Sequence, residues 1–383
     1  MPEQFQNLEL LFLLGLSIIM VIYCIATIAL TIGWQRIQPF EFVSRTETAL
    51  ISLIVPVRNE EKNLPNLLAD LQVQSNQNFE LILVNDNSTD KTMELAEQFK
   101  ETAKFPITIL HSNRSQNSSP KKSAISQGIA VAKGKLITTT DGDCRVGKHW
   151  LRDIHSFYQA EKPKLISAGV TFQNEESWFE KIQTVEFMSL IGAGAVSMYL
   201  GSPNMCNGAN LTYEKSAFEA VGGFSGSEKL ASGDDEFLMH KIFKTFPLHV
   251  KFLKSEGSIV RTNAQTKFYD FYQQRKRWAS KWNHYENFSA VVTALFVYAV
   301  HLASVLLWVG FCFFSSWRVE FGLLIAAKIV CEFFYLRAIL LSHQQADKIK
   351  WIPITQIFHS AYVVLIGLFG KLGGYSWKGR KLK

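Results

Sequence analysis

Between Leu10 and Ile32 the chain runs 23 residues without a charge, long enough as a helix to cross a hydrocarbon core of about 30 Å. A cleaved signal peptide is the ordinary alternative. It fits poorly, because no Lys or Arg precedes the stretch, the stretch is too long, and no small-x-small site follows. Residues 1–36 therefore read as a retained transmembrane anchor. Apolar segments return near the other end. Ser289–Phe314 is uncharged apart from His301, and Phe321–Leu341 and Ile352–Leu372 are weaker candidates. Lys328, Glu332 and Arg337 interrupt the second of these three. Lys328 and Glu332 stand four apart, so an ion pair on one helical face is the plain expectation, with a substrate-facing role the rarer one.

Composition adds little by itself: 48 % hydrophobic and 19 % charged is the average of a membrane part and a soluble part. The distribution is what divides the chain. Residues 37–262 read as a soluble domain, 263–287 as an amphipathic interfacial helix, and 288–383 as membrane helices with a basic tail. In the interfacial stretch Phe268, Phe271, Trp278, Trp282 and Tyr285 recur at helical spacing, with Lys267, Arg275, Lys276 and Lys281 interleaved. The net charge of +7 gathers beside the membrane segments, at Arg36, Arg45, Arg275–Lys281 and the tail. That placement fits cytosolic flanks facing anionic lipid, and no nucleic-acid groove is expected. Five scattered cysteines without metal or disulfide spacing fit a reducing compartment.

The soluble part alternates strand and helix. Ala49–Val57, Phe79–Asn85, Ile107–Leu110 and Leu136–Thr140 are short apolar runs. Lys62–Gln74, Thr92–Phe99 and Lys121–Ala132 between them carry helical periodicity. This pattern predicts an α/β domain built on a mostly parallel, Rossmann-like sheet, with ligands bound beyond the carboxyl ends of the strands. The polar clusters fall at those ends: Arg58-Asn59-Glu60, Asp86, and Asp141-Gly142-Asp143. Two carboxylates flanking a glycine offer hard oxygen donors to a divalent cation, which would help a diphosphate depart. An acid-x-acid turn alone is common on surfaces; three clusters at one edge are more informative.

The string from Ile51 to Asp143 resembles the nucleotide-binding half of family 2 glycosyltransferases of GT-A fold. The matching residues are Pro56-Val57-Arg58-Asn59-Glu60-Glu61, Val84–Asp90, Lys121-Lys122 with Gly128, and Asp141-Gly142-Asp143. Asn207–Leu211 and Val221–Phe224 resemble the segment beneath the acceptor, and Gly233-Asp234-Asp235-Glu236 the acidic pair that opens a helix. Gln274-Arg275-Lys276-Arg277-Trp278 matches the Gln-x-x-Arg-Trp signature of membrane-integrated members such as cellulose, chitin and hyaluronan synthases and ceramide glucosyltransferase. By this resemblance Pro56, Asn59 and Glu60 line the nucleoside pocket and Asp86 faces the base. Asp141 and Lys122 lie by the nucleotide, Asp143 coordinates Mg²⁺ or Mn²⁺, and Asp235 is the general base with Asp234 beside it. Gln274, Arg277 and Trp278 meet the diphosphate and the acceptor. Asp234 and Glu236 would raise the Asp235 pKa from about 3.9. Acids at a helix start also have an ordinary dipole explanation.

The resemblance implies a metal-dependent, inverting transfer from a nucleotide-sugar donor, a UDP-sugar by the match at Asp86, to a glycan or lipid acceptor. The expected setting is a bacterial inner membrane with the catalytic domain cytosolic, in contact with membrane lipid. Few membrane segments leave processive synthesis and single-sugar glycolipid synthesis both open, the former with an export partner subunit. A transporter or channel would leave the acidic strand ends unexplained. A nucleotidyltransferase would need an early glycine-rich loop that is absent, and a silent nucleotide-sugar binder would lack an acid that Asp143 and Asp235 supply. Three C-terminal crossings would put the tail Lys378–Lys383 opposite the catalytic domain, against the positive-inside tendency. Ile352–Leu372, with Pro353, Gln356 and His359, is therefore read as the segment that turns back or lies at the interface.

Overall fold

The computed structural model describes residues 3–43, 49–113, 119–228, 230, 232–280, 288–369, 374–377 and 380–382. Arg45, most of the Ser112–Ser119 loop, Lys281, Trp282, Tyr285 and parts of the tail lie outside the described residues. Helix α1 (Glu3–Arg36) leads into β1 (Ile51–Val57), α2 (Leu64–Gln72), β2 (Phe79–Asn85), α3 (Thr92–Lys100), β3 (Ile107–His111), α4 (Pro120–Val131) and β4 (Leu136–Thr139). The second half runs β5 (Arg145–Val146), α5 (Trp150–Glu161), β6 (Leu165–Ala168), β7 (Val170–Gln173), α6 (Trp178–Tyr199), β8 (Leu211–Glu214), α7 (Lys215–Ala220), α8 (Asp234–Thr245), β9 (Val250–Leu253) and β10 (Val260–Asn263). Then come α9 (Phe268–Ala279), α10 (Phe288–Phe313), α11 (Arg318–Ser342), α12 (Ile352–Phe369), β11 (Tyr375–Trp377) and β12 (Arg380–Leu382).

The main sheet has the order β3-β2-β1-β4-β8-β6-β9. Strands β1 to β4 are mutually parallel, β8 alone runs against its neighbours, and β6 and β9 are parallel. This is the mostly parallel Rossmann-like sheet read from the sequence. Its central strands are buried almost throughout because both faces are covered. Leu64, Leu67, Leu68 and Leu71 of α2 are buried on one face, while Ala124, Ile125 and Ile129 of α4 are buried in the core on the other. A second sheet, β5-β10-β7, lies alongside.

Among the described residues three helices are long and apolar enough to cross a membrane: Glu9–Arg36, Val291–Phe313 and Ala346–Leu368. Helix α11 carries too many charges to join them, yet it lies against α1 and α10. Its Lys328 and Glu332 form the expected ion pair at 2.8 Å, both buried. At the start of α12, Gln345 donates to the Phe172 carbonyl at 2.9 Å and Lys348 pairs with Glu175 at 3.5 Å. At its far end β11 lies beside α9. The residues before α12 and the strand after it thus both lie near the α/β domain.

Helix α6 joins the two parts. Ser177 and Glu180 form a reciprocal capping box at its start, and its apolar faces meet α1, α11 and α12. Gly192 allows the closest approach, since a Cβ there would lie 2.1 Å from Ile339 Cδ1 and 2.7 Å from the Tyr335 hydroxyl. Tyr335 donates to the Ser189 carbonyl at 2.9 Å across the same contact. Gly192→Ala is expected to destabilise the chain by about 1–3 kcal/mol through overpacking. The check is a lowered unfolding midpoint, followed by tryptophan fluorescence in lipid nanodiscs.

Candidate active site

The turns after β1, β2 and β4 form one edge of the site, and each is fixed by its neighbour. The Asp86 amide donates to the Val57 carbonyl at 2.9 Å, and Arg58 donates to the Asp86 carbonyl at 2.8 Å. Asn59 and Asn87 hold left-handed backbone, at φ 54° and 55°, which asparagine tolerates better than most residues. Asn59 Oδ1 accepts from the Thr89 amide at 2.8 Å, tying the first turn to the second. Glu60 is buried; its amide donates to Thr92 and its carboxylate accepts from Asn63, each at 2.8 Å. Gly142 packs on this layer: a Cβ would sit 3.0 Å from Val57 and 3.1 Å from Glu60. A glycine between the two acids is what lets the Asp141–Asp143 turn rest on the first turn.

From the other side come helix starts. Lys121, at the N-terminus of α4, reaches Asp141 at 2.7 Å and Asp234 at 3.5 Å. Asp234 and Asp235 open α8. The segment Asn207–Asn210 connects these groups: Thr139 of β4 donates to the Gly208 carbonyl at 2.9 Å, and the Gly208 amide donates to Asp235 Oδ2 at 2.9 Å. The second Asp235 oxygen accepts from the Glu236 amide at 2.8 Å. Burial pushes the Asp234 carboxyl above its ordinary pKa, with Lys121 opposing and the Asp235 and Asp141 charges adding to the rise. Burial works against the Lys121 ammonium, but Asp141 and Asp234 hold it above the ordinary lysine range.

The third side is α9. Its Arg275 is buried between Phe271 and Trp278, with ring centroids 4.5 and 4.2 Å away, and pairs with buried Glu186 of α6. This anchor turns Gln274, Arg277 and Trp278 toward the acids.

The turn, helix-start and α9 groups line one cavity of about 780 Å³, which Pro56, Asp86, Asp141, Asp143, Asp234 and Asp235 enter from one side and Gln274, Arg277 and Trp278 from another. Three of the expected residues stand elsewhere. Asn59 and Glu60 brace the turns from behind. Lys122 is buried, donating to the Ser227 carbonyl at 2.7 Å and lying over the Phe237 ring. Of this pair it is Lys121 that meets the acids. The two lysines are adjacent on a helix, so about 100° of rotation separates them, and the resemblance that singled out Lys122 says nothing of that phase. Arg275 and Glu186 were also missed. A lone acid inside an apolar helix was the available signal for Glu186.

Among the described residues no group of three acidic, histidine or cysteine side chains surrounds a metal position. Asp141 and Asp143 supply hard carboxylate oxygens of the kind that would hold a divalent cation sharing its other ligands with a diphosphate. The donor set therefore fits an ion carried in with a nucleotide.

The model of glycosyl transferase family 2 matches residues 52–222. Poly-beta-1,6-N-acetyl-D-glucosamine synthase of Staphylococcus aureus (strain COL) is 30 % identical over 176 residues, 45 % of this chain and 41 % of the relative. The synthase of that name from Staphylococcus epidermidis is 30 % identical over 179 residues, with the same coverage. The match thus spans about two fifths of the length of these relatives. A mannosyltransferase from Pyrobaculum calidifontis shares the fold, at TM-score 0.57 and 13 % identity, over 91 % of this chain and 98 % of that one. Residues 52–222 thus match the glycosyl transferase family 2 model, and the chain joins a GT-A fold to helices that, among the described residues, are long and apolar enough to cross a membrane.

Proposed function

We propose that this chain transfers a hexose or N-acetylhexosamine from a UDP-sugar to a hydroxyl of a glycan or lipid acceptor at the membrane, with inversion at the anomeric carbon. The observation that carries the reading is the convergence of three strand-end acids, the α8 acid pair and the Arg277-Trp278 corner on one cavity. The staphylococcal relatives are named for N-acetylglucosamine polymers, which favours an N-acetylhexosamine. The archaeal mannosyltransferase was solved with GDP-Man and Mn²⁺, in keeping with a divalent ion here.

In this reading Asp235, aimed by the Gly208 amide, takes the proton of the acceptor hydroxyl as its oxygen bonds to the anomeric carbon. The bond from that carbon to the diphosphate oxygen breaks on the opposite face, and the nucleoside diphosphate leaves with the electron pair. No protein nucleophile is used, so a single displacement inverts the centre. Arg277 donates to the departing diphosphate, Asp86 meets the base, and Trp278 floors the acceptor position. Lys121 keeps the crowded carboxylates Asp141, Asp234 and Asp235 together. Asp143, with Asp141, would hold the divalent ion, which when bound neutralises charge on the diphosphate. The domain faces the cytosol of a bacterial inner membrane, where sugar nucleotides are made and where the basic flanks meet anionic lipid.

The test uses the full chain in lipid nanodiscs with a panel of UDP- and GDP-sugars, the product identified by mass. A glycosylated product from a UDP-sugar is expected, and absence of both product and nucleotide release across the panel would refute the reading. Asp143→Asn is expected to raise the donor KM by at least about tenfold and to flatten the response to added Mn²⁺, from loss of a charged ligand.

A further inference from the structure

The cavity does not end at Trp278. The same space continues between α1, α6, α10, α11 and α12, where Tyr23, His301, Glu332, Gln356 and His359 face it. The walls between them are aliphatic, from Leu30, Val297, Leu336, Val363 and Ile366. Ionisable groups at membrane depth are costly, and where they face a cavity they mark the handling of something polar.

Glu332 is the informative one. It is 5 % exposed, and both donors near it, the Tyr23 hydroxyl and the Lys328 ammonium, meet the same oxygen, Oε1. Its Oε2 is buried and has no hydrogen-bond partner among the described residues. Lys328 is held from behind by Gln356 at 2.8 Å, so the carboxylate is fixed in place. A buried charged oxygen left this way is expensive unless a ligand brings a donor to it.

Among the described residues the lobe has no wide continuation past Glu332, only a void of about 10 Å³ beside Ser304, Lys328, Gln356 and Ser360. Beyond Glu332, Leu13 and Met20 of α1, Val300 and Leu307 of α10, and Phe321 and Ile325 of α11 pack as a closed apolar cluster. None of these residues lines the cavity. A polymer threaded through the bundle needs a polar path to the far side. An amphiphile entering sideways needs only an aliphatic lobe with a hydrogen-bond acceptor near its end. The volume of about 780 Å³ takes a nucleotide sugar together with a head group of sugar size.

We propose that this lobe is the acceptor subsite and that it takes a sugar-headed membrane lipid, one head-group hydroxyl presented to Asp235 and a further donor of the lipid meeting Glu332 Oε2. The proposal rests on the transferase reading above. The transfer balances as before: the hydroxyl proton goes to Asp235, the new C–O bond forms, and the nucleoside diphosphate departs.

The test compares monoglucosyl-dioleoylglycerol in nanodiscs with a water-soluble tetrasaccharide of the donor sugar. Wild type is expected to favour the lipid by at least about tenfold in kcat/KM. Glu332→Gln is expected to raise the KM for the lipid about tenfold, as for loss of a bond to a charged group. The KM for the nucleotide sugar and its slow hydrolysis without acceptor should stay unchanged. Glu332→Asp keeps the charge beside Lys328 while withdrawing the free oxygen, and carries the same comparison if the glutamine variant does not fold. A preference for the tetrasaccharide overturns the proposal. So does a Glu332 variant that moves donor and acceptor KM alike, or neither. Hydrolysis of the nucleotide sugar without any effect at Glu332 sinks this inference alone; no hydrolysis and no transfer sinks the transferase reading with it.

Discussion

Asp235→Asn is expected to lower sugar transfer by about 10²–10⁴-fold, the usual worth of a general base, with nucleotide-sugar binding retained. The substitution is nearly isosteric. The amide oxygen can still accept from the Gly208 or Glu236 amide, both of which donate to the aspartate now, so α8 and the Asn207–Asn210 segment keep their places. What is lost is a group that can take a proton. Initial rates with the best donor and acceptor, beside calorimetric titration of the donor, separate the two effects. Retention of wild-type turnover would move the base elsewhere. Asp234 is the first alternative, because it lines the same cavity and its raised pKa suits proton uptake at higher pH. A variant that loses donor binding and turnover together would make Asp235 a ligand of the donor site.

Much of this site was legible because its parts sit at the ends of continuous apolar runs. Phe79–Asn85 reads as a strand and is one, with the same bounds, because seven successive buried positions admit no helical face. The turns that follow such strands are where a parallel sheet puts its ligands, so Asp86 and the Asp141–Asp143 turn were found together. The later strands are two to four residues long. Their placement depends on pairing partners far along the chain, as β8 between β4 and β6 illustrates. Nothing local fixes such an order. The Lys121–Lys122 pair shows the same limit: in a polar first turn, tertiary contacts set which lysine meets the acids and which is buried beneath Ser227 and Phe237. Helix α11 was read from its charges as a weak span, and the structure turns Lys328 and Glu332 inward against α1 and α12 while Arg337 stays exposed. A charged pair in an apolar helix is thus informative about which face is buried, but silent about what fills the space beside it.

Glu186→Ala is expected to destabilise the chain by about 3–5 kcal/mol, because it leaves the Arg275 guanidinium buried without its counter-charge. Both side chains are about 5 % exposed. After the substitution Arg275 would keep only Gln274, the flanking rings of Phe271 and Trp278, and Tyr362 beside them, too little to replace a carboxylate in so dry a place. The consequence reaches the chemistry through α9. Arg275 is the residue that pins this helix to α6, and Gln274, Arg277 and Trp278 depend on that pin for their approach to the acids. Transfer should therefore fall with stability, and the product kcat/KM should fall further than donor affinity. Exchanging both partners for neutral residues of similar volume, Glu186→Gln with Arg275→Met, removes the unpaired charge and should recover most of the lost midpoint in tryptophan-monitored unfolding. If Glu186→Ala unfolds at the wild-type midpoint yet transfers no sugar, the pair is not an anchor, and Glu186 acts on the reacting groups directly.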